Sequence, residues 1–261
     1  MVKYSSHLQD ARESGLIQPQ TLFSLMQSGT PNIKLVDASY PADLSLPAIG
    51  NAVTFDIDDI ADPDSPIAHM LPPPEIFAAK MQSLGIASDD FVVCYDQSGF
   101  IMAASRAWWM FRVFGHDNVA VLDGGLTGWM QKSLPVLPKT TPEAATVPFT
   151  VSYKPELVID YNGMKSISDT KSATILDARP PGRFAPDHIP NSQNLPALAL
   201  IGPDRHLKPS GFTPGNDSPI VATCGSGVTA CAIALALFKE GIKNVSVYDG
   251  SWTEWSTRAG K

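Results

Sequence analysis

VAVLDGGLTGW (119–129) and VSVYDGSWTEW (245–255) are one phrase written twice. Outward from them, the rest of the chain also pairs off. FVVCYDQSG (91–99) answers PIVATCGSG (219–227), and IKLVDAS (33–39) answers ATILDAR (173–179). The offsets are 140 between Asp37 and Asp177, 128 between Asp96 and Cys224, and 126 between Asp123 and Asp249. They drift by small insertions but never change order, as expected of a duplicated domain. Short β-branched runs alternate with longer helical windows, among them ASRAWWMFRVF (104–114) and TACAIALALFKEG (229–241). That alternation predicts parallel strands joined by crossover helices. The expected fold is α/β, two tandem domains, each a parallel sheet flanked by helices.

Between the halves, SLPVLPKTTPEAATVP (133–148) is rich in Pro and Thr and lacks periodicity, the mark of a linker. The expected division is a first domain over 1–135, a linker over 136–149 and a second domain over 150–261. The chain has 261 residues with a net charge of -7, which argues against nucleic acid or an anionic membrane as partner. Neither a signal-peptide core nor a long apolar window is present, so a cytoplasmic location is the expectation. The three cysteines, Cys94, Cys224 and Cys231, form no CxxC pair and no disulfide framework. If one of them matters, it matters as a thiol.

In α/β sheets ligands bind beyond the carboxyl ends of strands. The loops after VVCY and IVAT hold equivalent places, one carrying Asp96 and the other Cys224. Duplication therefore points to one half that keeps a reactive atom the other lacks. GSGVTA (225–230) follows Cys224 and runs directly into a helix. Its two glycines let the backbone curl so that successive amides face inward, and the helix start adds partial positive charge. Such a cradle favours a thiolate, whose pKa in these settings falls from about 8.5 to about 3.5–7.5. It suits the anionic outer sulfur of a persulfide equally well. Cys231, inside an apolar helix, and Cys94, in mid-strand, read as core.

Two other readings of this loop are weaker, and the first, a dinucleotide-binding oxidoreductase, stays as an alternative that a test for bound NAD(P) decides. GSGVTA fits G-x-G-x-x-A, and Asp249 lies 19 residues after Ala230, near the dinucleotide spacing. That fingerprint normally opens a βαβ series, however, and only 12 residues follow Asp249. A cysteine phosphatase needs C-x5-R, but the sixth residue after Cys224 is Ala230. Without a cation in the loop, phosphoryl transfer lacks its electrostatic clamp.

The chain resembles the rhodanese-type sulfurtransferases, and more closely their 3-mercaptopyruvate-using branch. The resemblance rests on FDIDDIADPDSPIAHMLP (55–72), SRAWWMFRVFGHDNVAVLDGGLTGW (105–129), LDARPPGRF (176–184), VATCGSGVTAC (221–231) and YDGSWTEW (248–255). It implies two rhodanese-like domains, the first catalytically inactive, with the active site in the cleft between them. It makes Cys224 the nucleophile and maps a proton-handling group onto Ser226, His69 and Asp58. Substrate contacts fall to Arg183, Arg179 and the loop residues Gly225, Gly227, Val228 and Thr229. On the residues alone, His69 reads as a satisfied histidine, Asp58 as part of a solvated acidic run, and Arg179 equally well as an ion-pair partner of Asp177.

The implied reaction moves sulfur from 3-mercaptopyruvate to a thiol such as thioredoxin, or to cyanide, with no metal or organic cofactor. Thiosulfate as donor is the alternative, and a non-catalytic sulfur carrier is another. The chain departs from the family pattern after Arg183, where FAPDHIPN (184–191) replaces an acidic, Pro-rich segment ending in a second arginine. Arg205, His206 and Lys208 are the candidates to supply the missing charge.

Overall fold

The computed structural model describes residues 6–138, 144, 148–215 and 218–260. The first half runs α1 (Ser6–Ser14), β1 (Leu16–Ile17), α2 (Pro19–Gln27), β2 (Ile33–Asp37), β3 (Val53–Thr54) and α3 (Pro74–Ser83). It closes with β4 (Phe91–Tyr95), α4 (Met102–Val113), β5 (Val119–Leu122) and α5 (Gly125–Gln131). The second half runs β6 (Val158–Ile159), α6 (Tyr161–Thr170), β7 (Thr174–Asp177), α7 (Pro181–Phe184) and β8 (Ser192–Asn194). Then follow β9 (Ile220–Thr223), α8 (Ala230–Lys239), β10 (Val245–Tyr248) and α9 (Ser251–Arg258).

Each half builds a five-stranded parallel sheet, ordered β1-β5-β4-β2-β3 in the first and β6-β10-β9-β7-β8 in the second. The two orders become identical when β6 is laid on β1 and the rest follow. Duplication is therefore visible in the topology as well as in the sequence. The central strands β4 and β9 are buried along their whole length and almost wholly apolar, because helices cover both faces.

Helices α4 and α8 lie between the halves. Residues Ala103–Phe111 of α4 and Ala230–Phe238 of α8 are buried, so each helix is covered on nearly all sides. Trp108 meets Phe238 edge to face at 5.3 Å, and the Arg112 guanidinium lies 4.3 Å from the Phe238 ring. A single apolar cluster runs from the first sheet through both helices into the second. Continuity of core on that scale fixes one domain against the other. No helix among the described residues is long and apolar enough to cross a membrane.

Of the expected linker, residues 139–143 and 145–147 lie outside the described residues. Its two ends are tied to the first domain. Leu137 bridges to Ala48, and Phe149 inserts among Phe77, Phe111 and His116. The attachment continues as Thr150 N donates to Ser88 Oγ, Ser152 N to Phe114 O and Lys154 N to Val113 O. The first turn of second-domain structure is Pro155–Leu157, five residues past the start read from composition. Composition registers the loss of periodicity but not the surface that an extended segment follows.

Candidate active site

Cys224 is the first residue beyond β9, at the carboxyl edge of the second sheet. Its own amide donates to Ser251 Oγ at 3.1 Å. Its carbonyl accepts from Trp252 N, and the Gly225 carbonyl accepts from Thr253 N and Thr253 Oγ1. The start of α9 thus takes up the carbonyl side of the loop. None of the amides from Gly225 to Thr229 donates to an acceptor among the described residues. Gly227 makes the curl at φ +76°, where a Cβ would stand 2.5 Å from the Asp249 carbonyl. The result is a run of unspent donors at the mouth of α8, ready for an anion.

A cavity of about 550 Å³ opens beside this loop, bordered by Cys224, Ser226, Thr229, Arg183, Leu198 and, from the first domain, Met102. Cys224 is only 1% exposed, so its sulfur is approached through this cavity rather than from open solvent. Gly225 and Val228 also face the cavity. Gly227 does not; its carbonyl instead accepts from Arg106 and from the Cys231 thiol. Cys231 and Cys94 are buried core, where desolvation pushes both thiols up.

Ser226, His69 and Asp58 come together although residues 69 and 226 belong to different halves. His69 Nδ1 lies 3.1 Å from Ser226 Oγ, and His69 Nε2 lies 3.0 Å from Asp58 Oδ1. The latter contact is close, but its angle falls short of a good hydrogen bond. Asp58 also accepts from the Tyr40 hydroxyl, which pushes the phenol's pKa up, and the Tyr40 ring stands edge-on to His69 at 5.2 Å. Serine, imidazole and carboxylate in line form an arrangement that can hold and pass a proton.

The two arginines part company. Arg179 sends Nε and Nη2 to the Asp177 carboxylate at 2.8–3.1 Å and lies over Trp252 at 4.5 Å, 5% exposed. The ion-pair reading describes it best, even though it borders the cavity. Arg183, on the short α7, is exposed at the cavity rim and makes no ion pair among the described residues. It is the guanidinium still available there. Arg205, His206 and Lys208 do not reach the cavity. Arg205 stacks on Phe100 at 3.8 Å, and His206 Nδ1 lies 3.1 Å from Asp123 Oδ2, so this segment grips the first domain instead.

Sequence reasoning passed over Arg106, Ser251 and Tyr40, and weighed Asp249 only as a repeat partner of Asp123 and as the acid of a dinucleotide fingerprint. Only Arg106 gave a signal, as a lone charge in the apolar run ASRAWWMF.

A family model described as the rhodanese-like domain matches residues 19–132 and again 161–258. The chain belongs to the rhodanese-like family. It is 38% identical over 230 residues to the 3-mercaptopyruvate sulfurtransferase of Escherichia coli strain K12, covering 81% of each chain. It is 36% identical over 277 residues to thiosulfate/3-mercaptopyruvate sulfurtransferase 2 of Arabidopsis thaliana, covering 88% of this chain and 81% of that one. Among solved structures, SseA from Escherichia coli, described under the 3-mercaptopyruvate sulfotransferases, superposes with a TM-score of 0.81 at 33% identity. That match covers 91% of this chain and 98% of SseA. With such relatives along most of its length, this rhodanese-like chain is an enzyme of sulfur-group transfer working on small-molecule donors.

Proposed function

We propose that this protein is a 3-mercaptopyruvate sulfurtransferase that carries sulfur as a persulfide on Cys224. The observation that carries this reading is the line from the Cys224 loop through Ser226 Oγ to His69 at 3.1 Å and on to Asp58 at 3.0 Å. The Cys224 thiolate attacks the donor sulfur, and the carbon–sulfur bond breaks with its electrons going to carbon. Pyruvate leaves as its enolate and takes up a proton. Ser226, backed by His69 and Asp58, passes the proton released by the donor thiol towards that carbon. The amides of Gly225–Thr229 hold the negative sulfur, first as thiolate and then as persulfide, in the manner of an oxyanion hole. Arg183 grips the donor carboxylate through both oxygens. A thiol acceptor such as thioredoxin then attacks the outer sulfur and returns Cys224 to the thiolate.

The same loop weighs against thiosulfate as the preferred donor. Residues 225–229 contain no basic side chain, and of the two arginines at the cavity Arg179 is paired with Asp177, so the thiosulfate dianion meets one available guanidinium, Arg183. Mercaptopyruvate, with one carboxylate, fits that single charge.

Side-by-side turnover with the two donors, with the intact mass of the protein followed in parallel, tests this function. Donor treatment is expected to add one sulfur to Cys224, and Cys224→Ser is expected to abolish both the addition and turnover. Ser226→Ala is expected to lower mercaptopyruvate turnover more than thiosulfate turnover. Full turnover without a mass change would remove the persulfide from the mechanism. Equal losses on both donors would remove Ser226 from the donor-specific step.

A further inference from the structure

Arg106 is a buried cation, 1% exposed, at the centre of the boundary between the halves. It projects from α4 and touches three separate segments. Nη1 donates to Asp249 Oδ1 at 2.7 Å and to the Gly227 carbonyl at 3.3 Å; Nη2 donates to the carbonyl of His69 itself. Asp249 in turn uses its other oxygen, Oδ2, to accept from Leu71 N at 2.7 Å. The short chain from His69 to Leu71 is therefore held at both ends by one ion pair. His69 has φ +65°, a left-handed conformation that a non-glycine residue keeps only when its surroundings hold it. On its other side the pair holds Gly227, the residue immediately after Ser226.

The ion pair thus ties the backbone carrying His69 to the backbone carrying Ser226. Side chain to side chain, those two residues meet through the 3.1 Å hydrogen bond. Arginine suits this place because its planar fork serves acceptors in different directions at once. Desolvation works against its charge, but the opposing Asp249 carboxylate keeps the guanidinium ionised.

We infer that Arg106, through its ion pair with Asp249, is a positioning residue that keeps His69 in register with Ser226 across the domain boundary. The inference rests on the proton-handling role given to His69 above. It concerns a residue that does not line the cavity beside Cys224.

A double-mutant cycle separates positioning from simple support of the fold. Displacing a proton-transfer group by about 1 Å costs up to about 100-fold in rate. Arg106→Met and Asp249→Asn are accordingly expected to lower kcat with mercaptopyruvate by about 10- to 100-fold, with KM changed by less than about 3-fold. Arg106→Lys keeps the charge but cannot hold Asp249 and the His69 carbonyl together, so its loss is intermediate. In a His69→Ala background, Arg106→Met is expected to add less than about a 2-fold further loss, since nothing remains to be positioned. Full additivity in that background, or unchanged kcat in Arg106→Met, overturns the inference. If His69→Ala alone keeps full turnover, the proposed role of His69 is what fails. Should Arg106→Met not fold, the same cycle run with Arg106→Lys decides between positioning and mere support.

Discussion

The two halves carry the same loop at the same place, and they differ in who occupies it. After β4 the first residue is Asp96; after β9 it is Cys224. Both loops turn through a glycine at positive φ, Gly99 at +72° and Gly227 at +76°. In the first half the Asp96 carboxylate takes up the loop's donors, accepting from Gly99 N at 2.9 Å and Ser98 Oγ at 2.8 Å. It is buried, and desolvation raises its pKa. In the second half the shorter Cys224 side chain reaches none of the loop amides, and those from Gly225 to Thr229 stay available. The first loop's donors are thus taken up by its own carboxyl group, although the backbones differ at the helix start, where Ile101 is left-handed at φ +53° and its counterpart Thr229 is right-handed at φ -72°. The lesson is that the cradle is common property and the side chain at its first position decides whether it is open.

The strongest test of this contrast is to copy the first loop into the second. Cys224→Asp is expected to fold, to lose the sulfur acceptor, and to drop turnover at least about 1000-fold, measured against the parent by pyruvate release. Next in size is Arg183→Ala, which removes the cavity's available guanidinium. Its apparent KM for mercaptopyruvate is expected to rise about 10- to 100-fold, the worth of a charge-assisted bidentate contact. An unchanged KM would break the assignment of the carboxylate to Arg183.

Glycine substitutions sharpen the comparison further. Gly99→Ala would put a Cβ 2.6 Å from the Gly124 carbonyl, and Gly227→Ala one 2.5 Å from the Asp249 carbonyl. Each is expected to cost about 1–3 kcal/mol, read as a lowered urea midpoint. Turnover of the remaining folded protein should fall only in Gly227→Ala. Equal effects on turnover would mean that the two loops are not independent.

The smallest effect concerns GHDNVAV (115–121) and its counterpart GIKNVSV (241–247), where His116 stands against Ile242. Burial against Phe111 and Phe149 holds the His116 pKa down to about 4, below its ordinary value. The folded protein therefore refuses a proton that the unfolded chain accepts below about pH 6.5. Stability is full above that pH and drains away as pH falls towards 4, by at most about 3 kcal/mol. His116→Ile, which makes the first half like the second, is expected to flatten the fall of the urea midpoint between pH 6.5 and 4. A slope identical to the parent's would place the proton uptake elsewhere.

Much of this arrangement was legible in the sequence because it is local. Strand, acidic turn and helix repeat within each half, and so the sheets followed from periodicity and duplication. The curl after Cys224 was legible for the same reason, since glycine spacing and the onset of a helix are both short-range signals. What escaped depends on the halves meeting. Arg106 and Asp249 are 143 positions apart. Their pairing exists because α4 of the first half packs against the second, where Asp249 follows β10, and no window of sequence expresses that. His69 and Asp58 stood out only through family resemblance, because an imidazole becomes part of a relay by what it faces, and Ser226 comes from the other half. Arg205 and His206 were misjudged as possible site residues on charge alone; geometry spends them on Phe100 and Asp123.

The crossing of His69 from one half to the other has a consequence for how such a molecule can change over time. Twin domains begin as interchangeable copies, each free to be lost. Under the proposed relay the second half's serine leans on a histidine lent by the first, so neither half can be discarded without losing the relay. On the same proposal a substitution at the first half's Tyr40, which meets both Asp58 and His69, acts on chemistry carried by the other half.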